Sequence, residues 1–144
     1  MAKSYEERNR KHVNAFLEWA RSLEGEAAQE EGHWVSKWYE KNRLFECYTR
    51  AGTPRIGRGA EGGLPPRSTI CIATIAVVEE GRGRGLFTAL MGALIRGVDG
   101  FTYSRVECEC VGNPRLRAWL ERNGFKAYQG ESRTYYFDVE RAGA

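Results

Sequence analysis

The first part of the chain has the hydrophobic spacing of an amphipathic helix. From Ser4 to Glu24, apolar side chains recur at intervals of three and four residues: Val13, Phe16, Leu17, Ala20 and Leu23. Ser4 and Glu7 also form the Ser-x-x-Glu pattern of a capping box at a helix start. We therefore predict a helix over residues 4–24 whose apolar face packs on a core.

The next segments are less regular. Residues 25–32 are acidic and polar, and residues 33–42 (HWVSKWYEKN) carry aromatic side chains without a clean period. Spacing alone does not separate helix from strand in such a short run. Of the two, we predict a short helix here. Leu44 to Arg50 alternates apolar and polar residues, and Thr69 to Val78 is a β-branched run long enough for a central strand.

Residues 51–68, between these two strands, are rich in Gly, Pro and Arg. Such a composition prevents a regular element and predicts a long hairpin loop. The loop is either a flap that faces a substrate or a disordered connection.

A second helix follows the central strand across a Gly-rich turn. Its apolar face is formed by Leu86, Leu90, Met91, Leu94, Ile95 and Val98. Gly100 is the predicted stop. Arg105 to Val111 then alternates charged residues with Val106, Cys108 and Cys110, which predicts a strand with one buried and one polar face.

The carboxyl-terminal part has clear helix boundaries. Asn113 is a predicted cap, Pro114 a favoured first helical residue, and Gly124 a stop followed by the apolar Phe125. Residues 125–128 and 134–139 are predicted strands on either side of a Gln129–Gly130 turn.

Composition limits the classes of protein. The 144 residues are 42% hydrophobic and 28% charged, which is typical of one globular domain, so we expect residues 1–144 to fold as a single domain. No apolar run approaches a membrane span or an export signal. The four cysteines match neither a zinc knuckle nor a disulfide scaffold, so we expect a cytoplasmic protein with reduced thiols.

The turn EEGRGRGLFTALM has the features of an anion site, because it joins a strand end to a helix start where backbone N–H groups are free. A P-loop is excluded, since no Gly-Lys-Ser/Thr follows. In a dinucleotide-binding fold, Glu107 or Glu109 would be the acid that binds the ribose. However, Thr88 stands where such a turn has its third glycine, and too few residues follow Val111 to form further parallel βα units.

The stretch from Arg82 to Phe87 (RGRGLF) resembles motif A of the GNAT acyltransferase superfamily, Gln/Arg-x-x-Gly-x-Gly/Ala. Arg82 and Gly85 match this motif, whereas Phe87 departs from it. The run NPRLRAWLERNGF resembles motif B, in which Asn opens a helix that ends in Gly-Phe. Together the matches cover residues 70–126, and the short chain also resembles small GNAT-like proteins of bacteria and their viruses.

This resemblance implies an α/β (α+β) fold, with a central mixed, mostly antiparallel sheet flanked by helices. It also implies that acetyl-CoA is the acyl donor, with main-chain N–H groups near Val77 and Val78 on the pantetheine and thioester. The segment after the strand would hold the pyrophosphate. The cofactor-binding residues implied are Val77, Val78, Arg82, Gly83, Arg84, Gly85, Leu86, Phe87, Thr88 and Asn113.

The catalytic groups are harder to assign. Family members often carry a Tyr acid four residues before the motif B Gly, where this chain has Leu120, and some carry a Glu base where it has Cys71. Glu109 and Glu107 are the candidate bases, because they lie on one side of the predicted strand. The alternative is a solvated charged face paired with Arg105.

The function expected from the resemblance is acetyl transfer to an amine on a small molecule, a peptide or a nucleic-acid-linked group. The alternative is an inactive GNAT-like module that binds CoA and acts through protein or nucleic-acid contacts. We expect no metal and no membrane partner. A homodimer, with a second copy of the chain as partner, is one possible assembly.

Overall fold

The computed structural model describes residues 3–29, 33–40, 43–53, 67–77, 85–109, 114–128 and 131–140. These residues form three helices and six strands. In chain order the elements are α1 (Lys3–Ala27), β1 (Trp34–Tyr39), β2 (Phe45–Gly52), β3 (Thr69–Val77), α2 (Leu86–Arg96), β4 (Arg105–Cys108), α3 (Pro114–Arg122), β5 (Lys126–Tyr128) and β6 (Glu131–Asp138).

The strands form one mixed sheet in the order β1-β2-β3-β4-β6-β5. Within the described strands, β3 and β4 are the one parallel pair, and the other four pairs are antiparallel. The predicted mixed, mostly antiparallel α+β fold is confirmed. A doubly wound dinucleotide fold needs a mostly parallel sheet, so this order excludes it.

The core lies between the three helices and one face of the sheet. Helix α1 follows its predicted apolar spacing, and Phe16 and Ala20 are fully buried. From α2, Leu90, Met91 and Leu94 enter the same cluster, together with Val106 of β4. Because side chains alternate along a strand, the residues next to Val106 point to the opposite face of the sheet.

The predicted short helix over residues 33–42 is wrong, because Trp34–Tyr39 is strand β1. It pairs with β2 from Trp34↔Gly52 to Tyr39↔Cys47. Tyr39 is buried and its ring lies 5.2 Å from that of Phe16, whereas Trp38 on the other face is 46% exposed. The aromatic side chains therefore alternate between faces, and pairing with β2 decides the conformation.

Helix α2 ends earlier than predicted. Gly97 adopts a positive φ of 80° and its N–H donates to the Leu94 carbonyl, so the helix stops at Arg96 rather than at Gly100. The Tyr103 hydroxyl also donates to that carbonyl, at 2.6 Å. This tertiary hydrogen bond is a stop signal that the local sequence does not reveal.

The end of α3 agrees with the prediction. Gly124 has a φ of 89°, and the N–H of the buried Phe125 donates to the Leu120 carbonyl at 2.9 Å. This is a Schellman-type ending, in which only glycine adopts the left-handed conformation without strain. Asn113 and the Gln129–Gly130 turn lie outside the described residues, as do residues 54–66 of the predicted hairpin loop.

The cysteine thiols that the structure describes are buried in the sheet. Burial raises the pKa of Cys47 from 9.0 to about 12, and a hydrogen bond from Thr49 opposes this only in part. Burial also raises the pKa of Cys108 well above its usual range. Both thiols are therefore poor nucleophiles in the folded protein.

We expect the free energy of unfolding to fall steeply as the pH rises above about 9, because the unfolded thiols ionise there while the folded ones stay protonated. The sign follows from a raised folded-state pKa: the stabilisation is complete below the unfolded pKa and is lost above it. Ionisation of each thiol in the unfolded chain should lower the free energy of unfolding by about 1.4 kcal/mol per pH unit in this range. Denaturant unfolding at increasing pH measures the slope. The double variant C47A/C108A should show a shallower slope, and an unchanged slope would contradict this origin.

Candidate active site

The parallel pair β3 and β4 separates part of the way along β3. The register runs from Thr69↔Arg105 to Ile72↔Cys108, and the Glu109 N–H adds a last bond to the Ile72 carbonyl, at 3.1 Å. Strand β3 continues to Val77, five residues further, paired with β2 alone among the described strands. An edge of β3 next to Glu109 is therefore left without a strand partner in the part of the sheet that the structure describes.

A β-bulge lies at the point of separation. Thr49 pairs with Ile72, but the preceding Tyr48 pairs with Thr74, so Ala73 is an extra residue on β3. A bulge bends its strand and increases the local twist, and bulges are over-represented beside active sites. Here the bulge follows directly after the last β3 residue that pairs with β4.

The start of α2, the next described element along the chain after β3, is a second feature. Gly85 precedes the helix with a φ of 81°, a left-handed conformation that favours glycine. It provides no side-chain cap, and the first turn contains no acidic residue. The first N–H groups of a helix have no carbonyl partner within it, so this terminus is electrostatically suited to an anion.

Leu86, Phe87 and Thr88 form the first turn of α2. Leu86 is buried in the core and Phe87 packs edge-on against Trp119 of α3, with 5.5 Å between ring centroids. Their side chains thus serve packing, and only their main-chain N–H groups are available for a ligand. The Thr88 side chain is exposed.

The sheet face opposite the core carries a polar cluster next to the separation. The Glu109 carboxylate accepts two hydrogen bonds from Nη1 of Arg50, at 2.7 and 2.9 Å, and the Cys71 thiol lies 3.9 Å from it. The Glu109 side chain is 14% exposed and that of Arg50 is 27% exposed. Glu109 is thus a carboxylate at the opening between β3 and β4 that solvent can still reach.

Glu107 lies deeper on the same face. It is buried and accepts a hydrogen bond from the Tyr128 hydroxyl, at 2.5 Å. Tyr128 stacks on Tyr136, the cross-strand neighbour of Glu107. Glu107 and Glu109 do share one side of the strand region, as predicted, but their surroundings differ.

The alternative of a solvated charged face on β4 does not hold, because Arg105 and Glu107 are each only 2% exposed. Arg105 donates from Nε to Asp138 at 2.7 Å and lies over the Tyr136 ring. Burial works to lower the pKa of the guanidinium, but the hydrogen bond and charge of Asp138 more than offset this, so its pKa lies above the usual value. Partners on neighbouring strands make the burial of these charges tolerable.

Cys71, Glu107 and Glu109 bring donor atoms within 4.8 Å of one another. Both carboxylates already accept hydrogen bonds from this chain, and a cation bound to Glu109 would have to displace Arg50. Both carboxylates are thus engaged by this chain's own side chains, Glu109 in an ion pair with Arg50 and Glu107 in a hydrogen bond from Tyr128.

Several predicted residues cannot be placed. Val78, Arg82, Gly83, Arg84 and Asn113 lie outside the described residues. Val77 is the last residue of β3 and pairs with Phe45.

Leu120, at the position where members of the family that the sequence resembles often carry an acid, is fully buried in the core. Cys71, at the position of the base in some members, is also buried. Neither residue can perform the role that the family gives to its position.

Sequence reasoning missed Arg50 as a partner of Glu109. Arg50 lies opposite Cys71, and Cys71 lies opposite Glu107, so three strands bring these side chains into one row. The alternation of polar and apolar residues along β2 indicates that Arg50 lies on a polar face. Only the strand order β2–β3–β4 shows that this face is shared with Glu109.

No family model matches the sequence, and no curated protein matches it either. The solved structures similar to this chain include two that each have a TM-score of 0.47 and 14% sequence identity. One is a mutant of the AtaT toxin bound to the C-terminus of the antitoxin AtaR and acetyl-CoA; the match covers 67% of this chain and 59% of that one. The other is the KacTA–DNA complex, with 85% and 80% covered. In the described part of the chain, every helix is too short or too polar to cross a membrane.

Proposed function

We propose that this chain is an acyl-CoA-dependent N-acyltransferase that moves an acetyl group from acetyl-CoA to an amine. The observation that carries the proposal is the separation of β3 from β4, on a strand that the chain follows, eight residues after Val77, with the glycine-led start of α2. Such a gap offers backbone groups to an extended ligand, and the helix terminus offers N–H groups to its anionic end. Acetyl-CoA has both parts, an arm with amide groups and a pyrophosphate.

The pantetheine arm would lie along the unpartnered edge of β3, over residues 73–77. Its amides can pair with this edge as a peptide does when it adds to a sheet edge. In the family that the sequence resembles, main-chain N–H groups of this strand, here near Val77 and Val78, hold the pantetheine and polarise the thioester carbonyl, as an oxyanion hole does. Because Glu109 lies level with Ile72, about 16 Å from Val77 at 3.3 Å per residue, Val77 and Val78 would contact the pantetheine, and the thioester would reach the bulge at Ala73. The residues from Arg82 to Thr88 would then hold the pyrophosphate.

Glu109 is the better candidate for the general base. It lies at the opening between the strands and is partly exposed, whereas Glu107 is buried beneath Tyr128. The Glu109 carboxylate takes a proton from the acceptor's ammonium, and the neutral amine attacks the thioester carbon. The C–N bond forms as the C–S bond breaks, and the amine's second proton is lost to the departing thiolate or to water.

The thiolate leaves without a dedicated acid in this scheme. Leu120 has no proton to give and lies in the core. A thiol has a pKa of about 8.5, so its anion is a tolerable leaving group near neutral pH. Proton return from water is therefore sufficient for a modest rate.

A CoA-binding module without turnover is the second candidate. The observation that favours it is the Arg50–Glu109 ion pair, which occupies the proposed base, together with Leu120 and Cys71 at two positions where the family often carries acid and base. Such a module would use the same cofactor site for contacts with a protein or a nucleic acid.

A thiol-release assay separates the two candidates. We expect acetyl-CoA to release free thiol faster when primary amines from a chemically varied panel are added, because amine attack frees CoA. A matched panel of alcohols is the control, since they lack the attacking nitrogen. Binding of acetyl-CoA without amine-dependent release across the panel would support the inactive module instead.

A further inference from the structure

Arg50 lies in the surroundings that a bound cation would need. Its guanidinium carbon is 5.6 Å from the centre of the Tyr48 ring, and its Nη1 meets both oxygens of Glu109. An aromatic face on one side and a carboxylate on the other are what an ammonium group is attracted to. The Arg50 side chain is only part-buried, so it can turn out into solvent.

The aromatic surface extends beyond Arg50 to the edge of the sheet. Trp38 lies opposite Tyr48 in the β1–β2 register, with 5.1 Å between the ring centroids. Trp38 is 46% exposed, which is unusual for so large an apolar side chain. Tyr48 in turn pairs with Thr74, just past the bulge where β3 leaves β4. A continuous strip of Trp38, Tyr48 and Arg50 thus leads to the Glu109 carboxylate.

We infer that this strip is the acceptor site, and that Arg50 is an internal stand-in for the acceptor's ammonium group, which displaces it. This inference rests on the proposed function for the identity of the acceptor. The acceptor is then a primary ammonium with a flat or apolar body, whose charge reaches Glu109 while its body lies on Tyr48 and Trp38. Displacement of Arg50 also frees Glu109 to take the proton, so base activation is coupled to acceptor binding.

Removing the Arg50 charge removes a competitor, so an amine should bind more tightly to the variant than to the parent. A purely structural role for Arg50 has the opposite consequence, because its loss would disorder Glu109 and weaken every ligand there.

The test compares R50M with the parent protein by calorimetry, using phenethylammonium as the probe. Met keeps an unbranched stem without the charge. We expect phenethylammonium to bind R50M at least roughly tenfold more tightly, about the factor that 1.4 kcal/mol represents. The neutral 2-phenylethanol, of matching shape, should bind both proteins equally, and R50M/E109Q should lose the gain. Equal or weaker binding of the amine by R50M would overturn the inference.

A second measurement uses the parent protein, because R50M leaves a carboxylate without its partner and can lose stability. Saturation with phenethylammonium should change the NMR signal of the Arg50 Nε–H to that of a freely moving guanidinium, and 2-phenylethanol should not. An unchanged signal at amine saturation would contradict displacement. Neither measurement uses CoA, so a failed cofactor assignment would be distinguishable from a failed acceptor site.

Discussion

G85E should bind acetyl-CoA with an affinity lower by roughly a hundredfold or more. The new carboxylate would lie at the start of α2, where the pyrophosphate is proposed to bind. Two like charges about 4 Å apart repel by about 4 kcal/mol at a protein surface. Among the described residues, an added Cβ meets only the Asn9 side-chain nitrogen, at 3.8 Å, an ordinary van der Waals distance. Calorimetry with acetyl-CoA measures the loss.

The matched control is G85Q, which has the same shape without the charge. Both variants place a non-glycine residue at a φ of 81°, which costs about 1–2 kcal/mol of stability. G85Q should therefore share this cost and melt slightly below G85E, whose carboxylate is stabilised at the helix start by about 0.3–1 kcal/mol, but it should keep most of the affinity. Equal affinities in the two variants would show that strain, not repulsion, is responsible, and unchanged affinity in a folded G85E would remove the pyrophosphate assignment.

E109Q should lower kcat/KM for the amine by about a hundredfold to ten-thousandfold, the range typical of a lost general base. Gln keeps the size of the side chain and can still accept a hydrogen bond from Arg50, but it cannot take a proton. Steady-state kinetics across the neutral pH range, together with calorimetry for acetyl-CoA, separates loss of the base from loss of the cofactor. We expect cofactor affinity to be unchanged.

Two further variants make the assignment specific. E107Q should change stability more than rate, because Glu107 is buried against Tyr128. E46Q removes an exposed carboxylate from β2, opposite Ala76, and should have no effect on either quantity. If E109Q keeps the parental pH profile, the base lies elsewhere or the amine arrives already neutral.

Periodic segments and capped ends could be predicted from the sequence. The spacing of Phe16 and Leu17 indicated α1, and Gly124 with Phe125 indicated the end of α3, because these signals are local. Strand β1 was predicted as a helix, since only its pairing with β2 shows that Tyr39 and Trp38 face opposite sides. The end of α2 depends on a hydrogen bond from Tyr103, a residue outside the helix.

The sequence indicated which residues of the candidate site share a face, but not which neighbouring side chains cover or pair with them. The spacing of Glu107 and Glu109 placed them on one side of a strand. It did not show that Tyr128 covers Glu107 or that Arg50 pairs with the partly exposed Glu109. Tyr128 comes from β5 and Arg50 from β2. Alternating charge along a strand therefore indicated a polar face without showing that neighbouring strands cover it.

The most direct test of the cofactor assignment is a melting scan with three ligands: acetyl-CoA, NADH, and ATP with magnesium. A ligand that binds only the folded state raises its stability by about 2.7 kcal/mol at a hundredfold excess over its dissociation constant, which shifts melting by several degrees in a domain of this size. We expect acetyl-CoA to give this shift and the other two to give none. A shift with NADH alone, or no shift with acetyl-CoA, would contradict the proposal that the gap between β3 and β4 is an acyl-CoA site.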